Sequence, residues 1–156
     1  MDQYDRDILE ALQQDCSVSV SALADRIGLG TTACWRRVHK LEGEGIIRKR
    51  VALLDARQVG AAQILLVSVR LHTAFGPSVD AFLAAVMAMP EVTQLYRLQD
   101  SASYALHVQV ADLAAYDALA HQLVVFPAVS TLEARMVMET LKDTSALPLA
   151  GLPLAE

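Results

Sequence analysis

Residues 19–45, with the sequence SVSALADRIGLGTTACWRRVHKLEGEG, contain two predicted helices separated by a short turn that holds two glycines. Ser19 is a favourable N-cap for the first helix, and Gly28 follows the last apolar residue of that helix, as glycines that end helices do. The second helix is predicted over residues 31–42, with glycine directly after it. Two helices joined by a short turn that contains glycine indicate a helix-turn-helix.

Outward from this motif, the first third of the chain is predicted to contain one more helix and two short strands. The additional helix covers residues 5–15, with Asp5 as its N-cap. The basic residues 46–50 are predicted to form a small wing strand, and residues 51–55 a hinge strand. The N-terminal part is therefore interpreted as a winged helix-turn-helix.

The rest of the chain changes to the alternating pattern of β-strands, which begins with Leu65, Val67 and Val69 on one face. Further strands are predicted over residues 92–99, 104–110 and 129–141, with helices over residues 79–89 and after Asp112. The order β-α-β-β-α-β is the ferredoxin-like, ACT-like plan, so the predicted fold class is α+β. Two helices cover one face of such a sheet. Met136 and Met138 are predicted on the other face, which favours burial against a second copy of the chain.

Four segments follow from these elements. They are a helix-turn-helix domain over residues 1–50, a hinge strand and linker over 51–62, a βαββαβ domain over 63–145 and an extended tail over 146–156.

Composition excludes several classes of protein. The N-terminus is acidic and no apolar run approaches the roughly 18 residues that a membrane helix needs, so a cytoplasmic location is expected. Cys16 and Cys34 are too few for a disulfide framework. The four histidines occur singly, without the short spacing of metal ligands, so no metal is expected.

The net charge of −5 is unevenly distributed along the chain. Residues 1–60 contain nine Lys or Arg and nine Asp or Glu, whereas residues 61–156 contain four and nine. Within the neutral part, residues 36–50 carry six basic and two acidic side chains. A local basic patch on an acidic protein is typical of a surface that contacts DNA phosphates.

The second helix of the motif has one apolar side and one polar, cationic side. Cys34, Val38 and Leu41 are predicted to pack on the other helices. The residues predicted to contact double-stranded DNA are Thr31, Thr32, Trp35, Arg36, Arg37, His39, Lys40, Arg48, Lys49 and Arg50. Arg36 is expected to contact a base, because arginine can bind guanine through two hydrogen bonds. Residues 48–50 are expected to contact the phosphate backbone.

The chain resembles the Lrp/AsnC family of leucine-responsive regulators. The matching stretches are DRDIL at 5–9, SALADRIGL at 21–29, TACWRRV at 32–38, LE at 41–42, GII at 45–47, MPEV at 89–92 and VM at 137–138 with Lys142. LQQDC at 12–16 and RVALLD at 50–55 are most similar to the subgroup typified by cysteine-responsive regulators.

The resemblance implies transcription regulation, homodimers formed through the hinge strand and the sheets, further assembly to octamers, and a small effector that is usually an amino acid. No cofactor is implied. The effector residues that it implies are Gln99, Asp100, Ser101, Ser103, Tyr104, Ala134 and Met136.

One loop departs from the family pattern. Many members have Gly-Asp-x-Asp-Tyr where this chain has DSASY at 100–104, and Ala128 replaces a frequent glycine. Hydroxyls at Ser101 and Ser103 can hydrogen-bond to an α-ammonium group but cannot pair with it as carboxylates do. Altered or lost amino-acid binding is therefore predicted at this loop.

Three other functions compete with this interpretation. An enzyme is disfavoured because no nucleophile–base pair, phosphate loop or metal cluster occurs in the sequence. An architectural protein that compacts DNA with little sequence preference stays open as the alternative. An effector-binding module that has lost its DNA function is disfavoured by the intact basic helix face.

Overall fold

The computed structural model describes residues 1–149 and contains five helices and four strands among them. In chain order they are α1 (Gln3–Gln14), α2 (Val20–Ile27), α3 (Thr31–Gly43), β1 (Gln63–Leu71), α4 (Pro77–Ala88), β2 (Val92–Arg97), β3 (Ser103–Val110), α5 (Leu113–Val124) and β4 (Val129–Met136). The chain divides into two compact units. The helical unit is Met1–Ala52 with residues 142–149 of the C-terminal tail, and the sheet unit is Leu53–Leu141.

The helical unit begins with a capping box rather than with the predicted cap. Asp2 is the N-cap of α1, and its side chain accepts the backbone N–H of Asp5. The Asp5 carboxylate in turn accepts the backbone N–H of Asp2. The prediction of Asp5 as N-cap is therefore wrong by three residues, because the reciprocal pair satisfies two free N–H groups instead of one.

The helix-turn-helix itself agrees with the sequence prediction. The Ser19 side chain accepts the N–H of Ala22, and Gly28 ends α2 in the left-handed conformation at φ 77°. The three helices enclose a core of Ile8, Leu9, Ala11, Leu23, Ala24, Cys34, Val38 and Leu41. The side of α3 that the sequence assigned to packing is therefore the buried one.

The predicted wing and hinge strands are not formed by this chain. Residues 46–50 and 51–55 belong to no strand, and no ladder pairing is found for them within residues 1–149. Leu53 and Leu54 are 80% and 72% exposed. A strand needs a neighbouring strand to satisfy its backbone groups, and the described part of one chain does not supply it.

The sheet unit has the predicted ferredoxin-like topology, with strand order β2-β3-β1-β4 and antiparallel neighbours throughout. Alternate residues of β1 and β3 are buried, as the sequence pattern predicts. They pack with Val79, Phe82 and Val86 of α4 and with Leu119 and Leu123 of α5. Both helices thus bury the same face of the sheet.

Strand β4 is shorter than predicted and corrects the assignment of Met136. It pairs with β1 from Val129 to Met136, and its last contact is the Val137 N–H with the Ile64 carbonyl. Beyond that point only Gln63 of β1 remains, and β4 does not pair with it. Met136 lies directly opposite the buried Leu65, so it is on the helix-covered face and not on the open one. The open face, which is the face of the sheet that α4 and α5 do not cover, carries both apolar and charged side chains. The exposed Leu66 and Tyr96 lie there beside Arg70, Glu133 and Arg135.

The first part of the C-terminal tail packs on the helical unit. The Gln13 side-chain amide accepts the N–H of Leu147 at 2.6 Å and donates to its carbonyl at 3.2 Å. Leu149 packs against the helical core. The predicted extended tail covers residues 146–156, of which residues 150–156 lie outside the described part of the chain.

Candidate DNA interface and effector region

Helix α3 presents a continuous polar face. Cys34, Val38 and Leu41 are at most 3% exposed and face the core. The exposed side chains are Thr31, Thr32, Ala33, Trp35, Arg36, His39 and Lys40. The packing of one side of the helix therefore decides which side faces solvent. That side offers hydroxyl, guanidinium, imidazole and ammonium groups, the types that contact base edges and phosphates.

Several of these side chains form a surface network around Glu42. His39 Nδ1 lies 3.1 Å from Glu42 Oε2, and Arg50 Nη2 donates to Glu42 Oε1 at 2.8 Å. The Trp35 ring meets the His39 ring edge-on, with centroids 4.1 Å apart. Exposed pairs of this kind stabilise by about 0–1 kcal/mol, so phosphate can displace them.

The remaining cations are also accessible. Lys40 Nζ lies 3.8 Å from Glu44 Oε1, a long and exposed contact. Arg36, Arg48 and Lys49 are exposed. These side chains can turn toward a polyanion at little cost.

Arg37 differs from every other predicted DNA contact. It is half-buried, and its Nη1 lies 2.7 Å from both Asp2 Oδ2 and Asp5 Oδ1. The hydrogen bond to Asp5, followed by that to Asp2, raises the pKa of the guanidinium. The backbone N–H of Asp5, more than Arg37, lowers the pKa of the Asp2 carboxyl. Sequence reasoning missed both carboxylates as partners, although the Asp-x-x-Asp spacing before an apolar run is a capping-box signal.

In the sheet unit, the loop between β2 and β3 is held by its own side chains. Asp100 accepts the backbone N–H of Ser103 at 2.9 Å and its hydroxyl at 2.6 Å. The hydroxyl contact is the main reason that the pKa of Asp100 is lowered. Ser101 has φ 60° and Gln99 is exposed. Asp100 thus remains an accessible carboxylate at one end of the sheet.

Tyr104 follows this loop but points into the core. It is 1% exposed and lies opposite Val69 on the helix-covered face. Its ring meets Phe82 edge-on at 6.2 Å, and the Arg97 guanidinium lies 5.6 Å from the ring centroid. Its hydroxyl is buried and has no hydrogen-bond partner among residues 1–149.

One chain does not bring the whole predicted effector set together. Ser103 pairs with Arg70 at one end of β1, whereas Met136 pairs with Leu65 nearer the other end. Five residues at about 3.3 Å each separate these positions by roughly 16 Å. Ala134 lies between them, opposite Val67. A single small amino acid cannot touch the loop and Met136 within one chain.

No helix within residues 1–149 combines the length and apolarity needed to cross a membrane. In the same part of the chain, no group of three His, Cys, Asp or Glu side chains could hold a metal ion.

Family models match both parts of the chain. A model described as the AsnC-type helix-turn-helix domain matches residues 1–42. A model described as the Lrp/AsnC ligand binding domain matches residues 64–147.

Individual proteins are similar over nearly the whole length. The DNA-binding transcriptional activator DecR of Escherichia coli K12 is 37% identical over 150 residues, which are 96% of this chain and 99% of the relative. A crystal structure of an AsnC family transcriptional regulator from Agrobacterium tumefaciens superposes with a TM-score of 0.89 at 40% identity, covering 96% of this chain and 97% of that one. A transcriptional regulator from Neisseria meningitidis, solved in complex with L-Met, has a TM-score of 0.91 at 27% identity over 96% and 97% of the two chains.

Proposed function

Because the chain belongs to the Lrp/AsnC family of transcriptional regulators, which are not enzymes, we propose that α3 binds specific sites in double-stranded DNA. The exposed polar and cationic face of α3, opposite a buried apolar side, is the observation that carries this proposal. The proposed binding of this protein to DNA also supports the expected cytoplasmic location.

Arg36 is the proposed base contact, and Arg48 and Lys49 are the proposed phosphate contacts. Arg36 is exposed on α3, whereas the other two follow the helix on an irregular, exposed segment. A rigid helix can hold a side chain at a fixed base edge, and a flexible segment suits contacts that position without specifying. Thr31 and Thr32 at the start of α3 are proposed to contact phosphate through the helix N-terminus.

A homodimer is proposed as the DNA-binding form. Val51, Leu53 and Leu54 are 52–80% exposed on a segment without a strand partner. A second copy can supply the missing ladder, and the same copy can cover the open face of the sheet at Leu66 and Tyr96. Assembly to octamers is proposed from the family alone.

The sheet unit is proposed to bind a small amino-acid effector. Its match to the Lrp/AsnC ligand-binding model and its likeness to the regulator solved with L-Met support this. Asp100 and the Ser101 and Ser103 hydroxyls are the proposed polar contacts. Because Ser101 and Ser103 replace the two carboxylates that many family members have in this loop, and Asp100 stands at the position of the family glycine, weaker binding of the α-ammonium group is proposed. Cysteine is the first amino acid to test, on the subgroup resemblance.

The deciding experiment is selection of genomic DNA fragments by the purified protein at about 150 mM salt, near physiological ionic strength, followed by sequencing. A specific regulator enriches a few sites that share a pseudo-palindrome. Uniform recovery of fragments at the same salt instead identifies an architectural protein, the second candidate that an assembly of cationic helices supports.

Two variants then separate base contact from phosphate contact. Arg36→Ala should cost about 1–3 kcal/mol at an enriched site and relax base preference there. Lys49→Ala should weaken all sequences alike and reduce the salt dependence by about one ion. Equal behaviour of the two variants contradicts the assignment of Arg36 as the base contact.

A further inference from the structure

The guanidinium of Arg37 lies in a cage formed by the first turn of α1. Its Nη1 is 2.7 Å from Asp2 Oδ2 and 2.7 Å from Asp5 Oδ1, and its Cζ is 5.4 Å from the centroid of the Tyr4 ring. Asp5 lies 32 residues from Arg37 in the chain. The cage therefore joins two helices that are distant in sequence, and it uses both carboxylates of the capping box.

The cage and the capping box are one network. Asp5 Oδ2 accepts the Asp2 N–H while Asp5 Oδ1 accepts from Arg37. Asp2 Oδ1 accepts the Asp5 N–H while Asp2 Oδ2 faces Arg37. Each carboxylate thus has one oxygen on α1 and the other on α3. Movement of α3 against α1 breaks both contacts of Arg37 together, whereas the two hydrogen bonds between Asp2 and Asp5 lie within the start of α1.

Burial makes the network costly to break. Asp5 is 3% exposed and is the one buried charged residue among residues 1–149. A buried carboxylate without its cation is strongly destabilising, so Asp5 holds the guanidinium in place. A side chain held in this way is poorly suited to turn toward DNA.

The position of Arg37 controls the position of its neighbours on α3. Arg36 is one residue away, or about 100° around the helix, and Lys40 is three residues away, on nearly the same side. A shallow groove of about 550 Å³ is lined both by Arg37 with its two carboxylate partners and by the exposed cations Arg36 and Lys40. Its walls are formed by Met1, Asp2, Asp5, Ala33, Arg36, Arg37 and Lys40. Holding Arg37 therefore sets the angle at which Arg36 and Lys40 face solvent.

We propose that Arg37 is a positioning residue, held by Asp2 and Asp5, that sets the orientation of α3 for specific DNA and does not itself contact phosphate. This assignment replaces Arg37 as a direct contact and rests on the proposed function of α3. It also gives two acidic residues a role in binding a polyanion.

The proposal is tested by whether Asp5→Asn tightens or weakens DNA binding. Removal of a negative charge near the DNA face should tighten DNA binding if only electrostatics acts. Loss of the cage should instead weaken binding to the most enriched duplex at least tenfold, with little change for a scrambled duplex of equal length. Asp7→Asn is the matched control, because it removes the same charge from α1 and Asp7 bonds to Gln3, not to Arg37.

Arg37→Lys and Arg37→Gln separate positioning from phosphate contact. Dissociation constants are measured on both duplexes over a range of salt, at a temperature where circular dichroism shows full helix content. Positioning predicts that Arg37→Lys loses specific affinity although it keeps the charge, with an unchanged salt slope. A phosphate contact predicts that Arg37→Lys binds nearly normally and that Arg37→Gln lowers the salt slope by about one. Asp2→Asn, at an exposed position, gives the same readout should the buried variant fold poorly.

The outcomes separate this proposal from the proposed function. Wild-type preference that survives in Asp5→Asn, Asp2→Asn and Arg37→Lys overturns the positioning role alone. Wild-type protein that binds both duplexes equally overturns the specific regulator and the positioning role with it. Loss of preference in the cage variants, with preference retained in Asp7→Asn, is the result expected.

Discussion

Replacement of Tyr104 by phenylalanine should stabilise the sheet unit. Tyr104 is 1% exposed, and its hydroxyl is buried without a hydrogen-bond partner among the described residues. Phenylalanine keeps the ring, and with it the edge-on contact with Phe82 and the nearby Arg97 guanidinium. The substitution therefore isolates the hydroxyl.

The magnitude follows from the cost of that hydroxyl. An unsatisfied buried polar group costs about 1–3 kcal/mol, so we expect the free energy of unfolding to rise by about 1 kcal/mol. For a unit of fewer than about 100 residues, this raises the melting temperature by roughly 4–8 °C. If the buried hydroxyl of a tyrosine has a hydrogen-bond partner, replacement by phenylalanine instead lowers the free energy of unfolding, because the variant loses that hydrogen bond.

The assay is calorimetric and chemical unfolding of the full chain without added amino acid. Tyr96→Phe is the matched control, since Tyr96 is 55% exposed and its hydroxyl donates to Gln94 at 3.1 Å. We expect that control to change stability by less than about 0.5 kcal/mol. A decrease of 1 kcal/mol or more for Tyr104→Phe would show that the hydroxyl is hydrogen-bonded in solution and would refute the reasoning.

The same variant tests Tyr104 as an effector residue. If a bound amino acid provides the partner for this hydroxyl, its affinity should fall about tenfold in Tyr104→Phe, as measured by calorimetry. Unchanged affinity would remove Tyr104 from the effector site and leave the loop at Asp100 as its proposed centre.

Further predictions concern the helical unit. Burial raises the pKa of the Cys34 thiol, so in the native protein it should react with a thiol reagent much more slowly than Cys16, and at an equal rate in denaturant. Gly28→Ala should cost about 1–2 kcal/mol because of its φ of +77°, whereas Gly30→Ala should cost less, although both sites have open space for a Cβ. Gln13→Ala should release the tail at Leu147, detected as faster exchange of the Leu147 amide.

Much of the fold could be predicted because its signals are local. The Ser19 cap and the Gly28 stop depend on hydrogen bonds within one turn of α2. The strand faces depend on an alternation that β1 shows from Leu65 to Leu71. The polar face of α3 follows from the same logic, because the period of a helix fixes which side chains lie opposite the apolar ones.

The corrections arise where a residue needs a partner from elsewhere in the molecule. Residues 46–55 have strand-like sequence but no neighbouring strand among the described residues, so no ladder forms. Met136 lies on the helix-covered face because the β1–β4 register places it opposite Leu65, and β4 ends close to the first residue of β1. The sequence of one strand alone does not determine where its pairing with a neighbouring strand ends or in which register the two strands pair.

The sequence by itself therefore determined the helix-turn-helix, the ferredoxin-like order and the exposed cationic face of α3, since caps, turns and periodicity act over a few residues. Tertiary structure decided that Arg37 pairs with Asp2 and Asp5 and that Met136 lies on the helix-covered face of the sheet. The physical reason is that an ion pair across 32 residues forms only when the packing of α1 on α3 brings the two charges together.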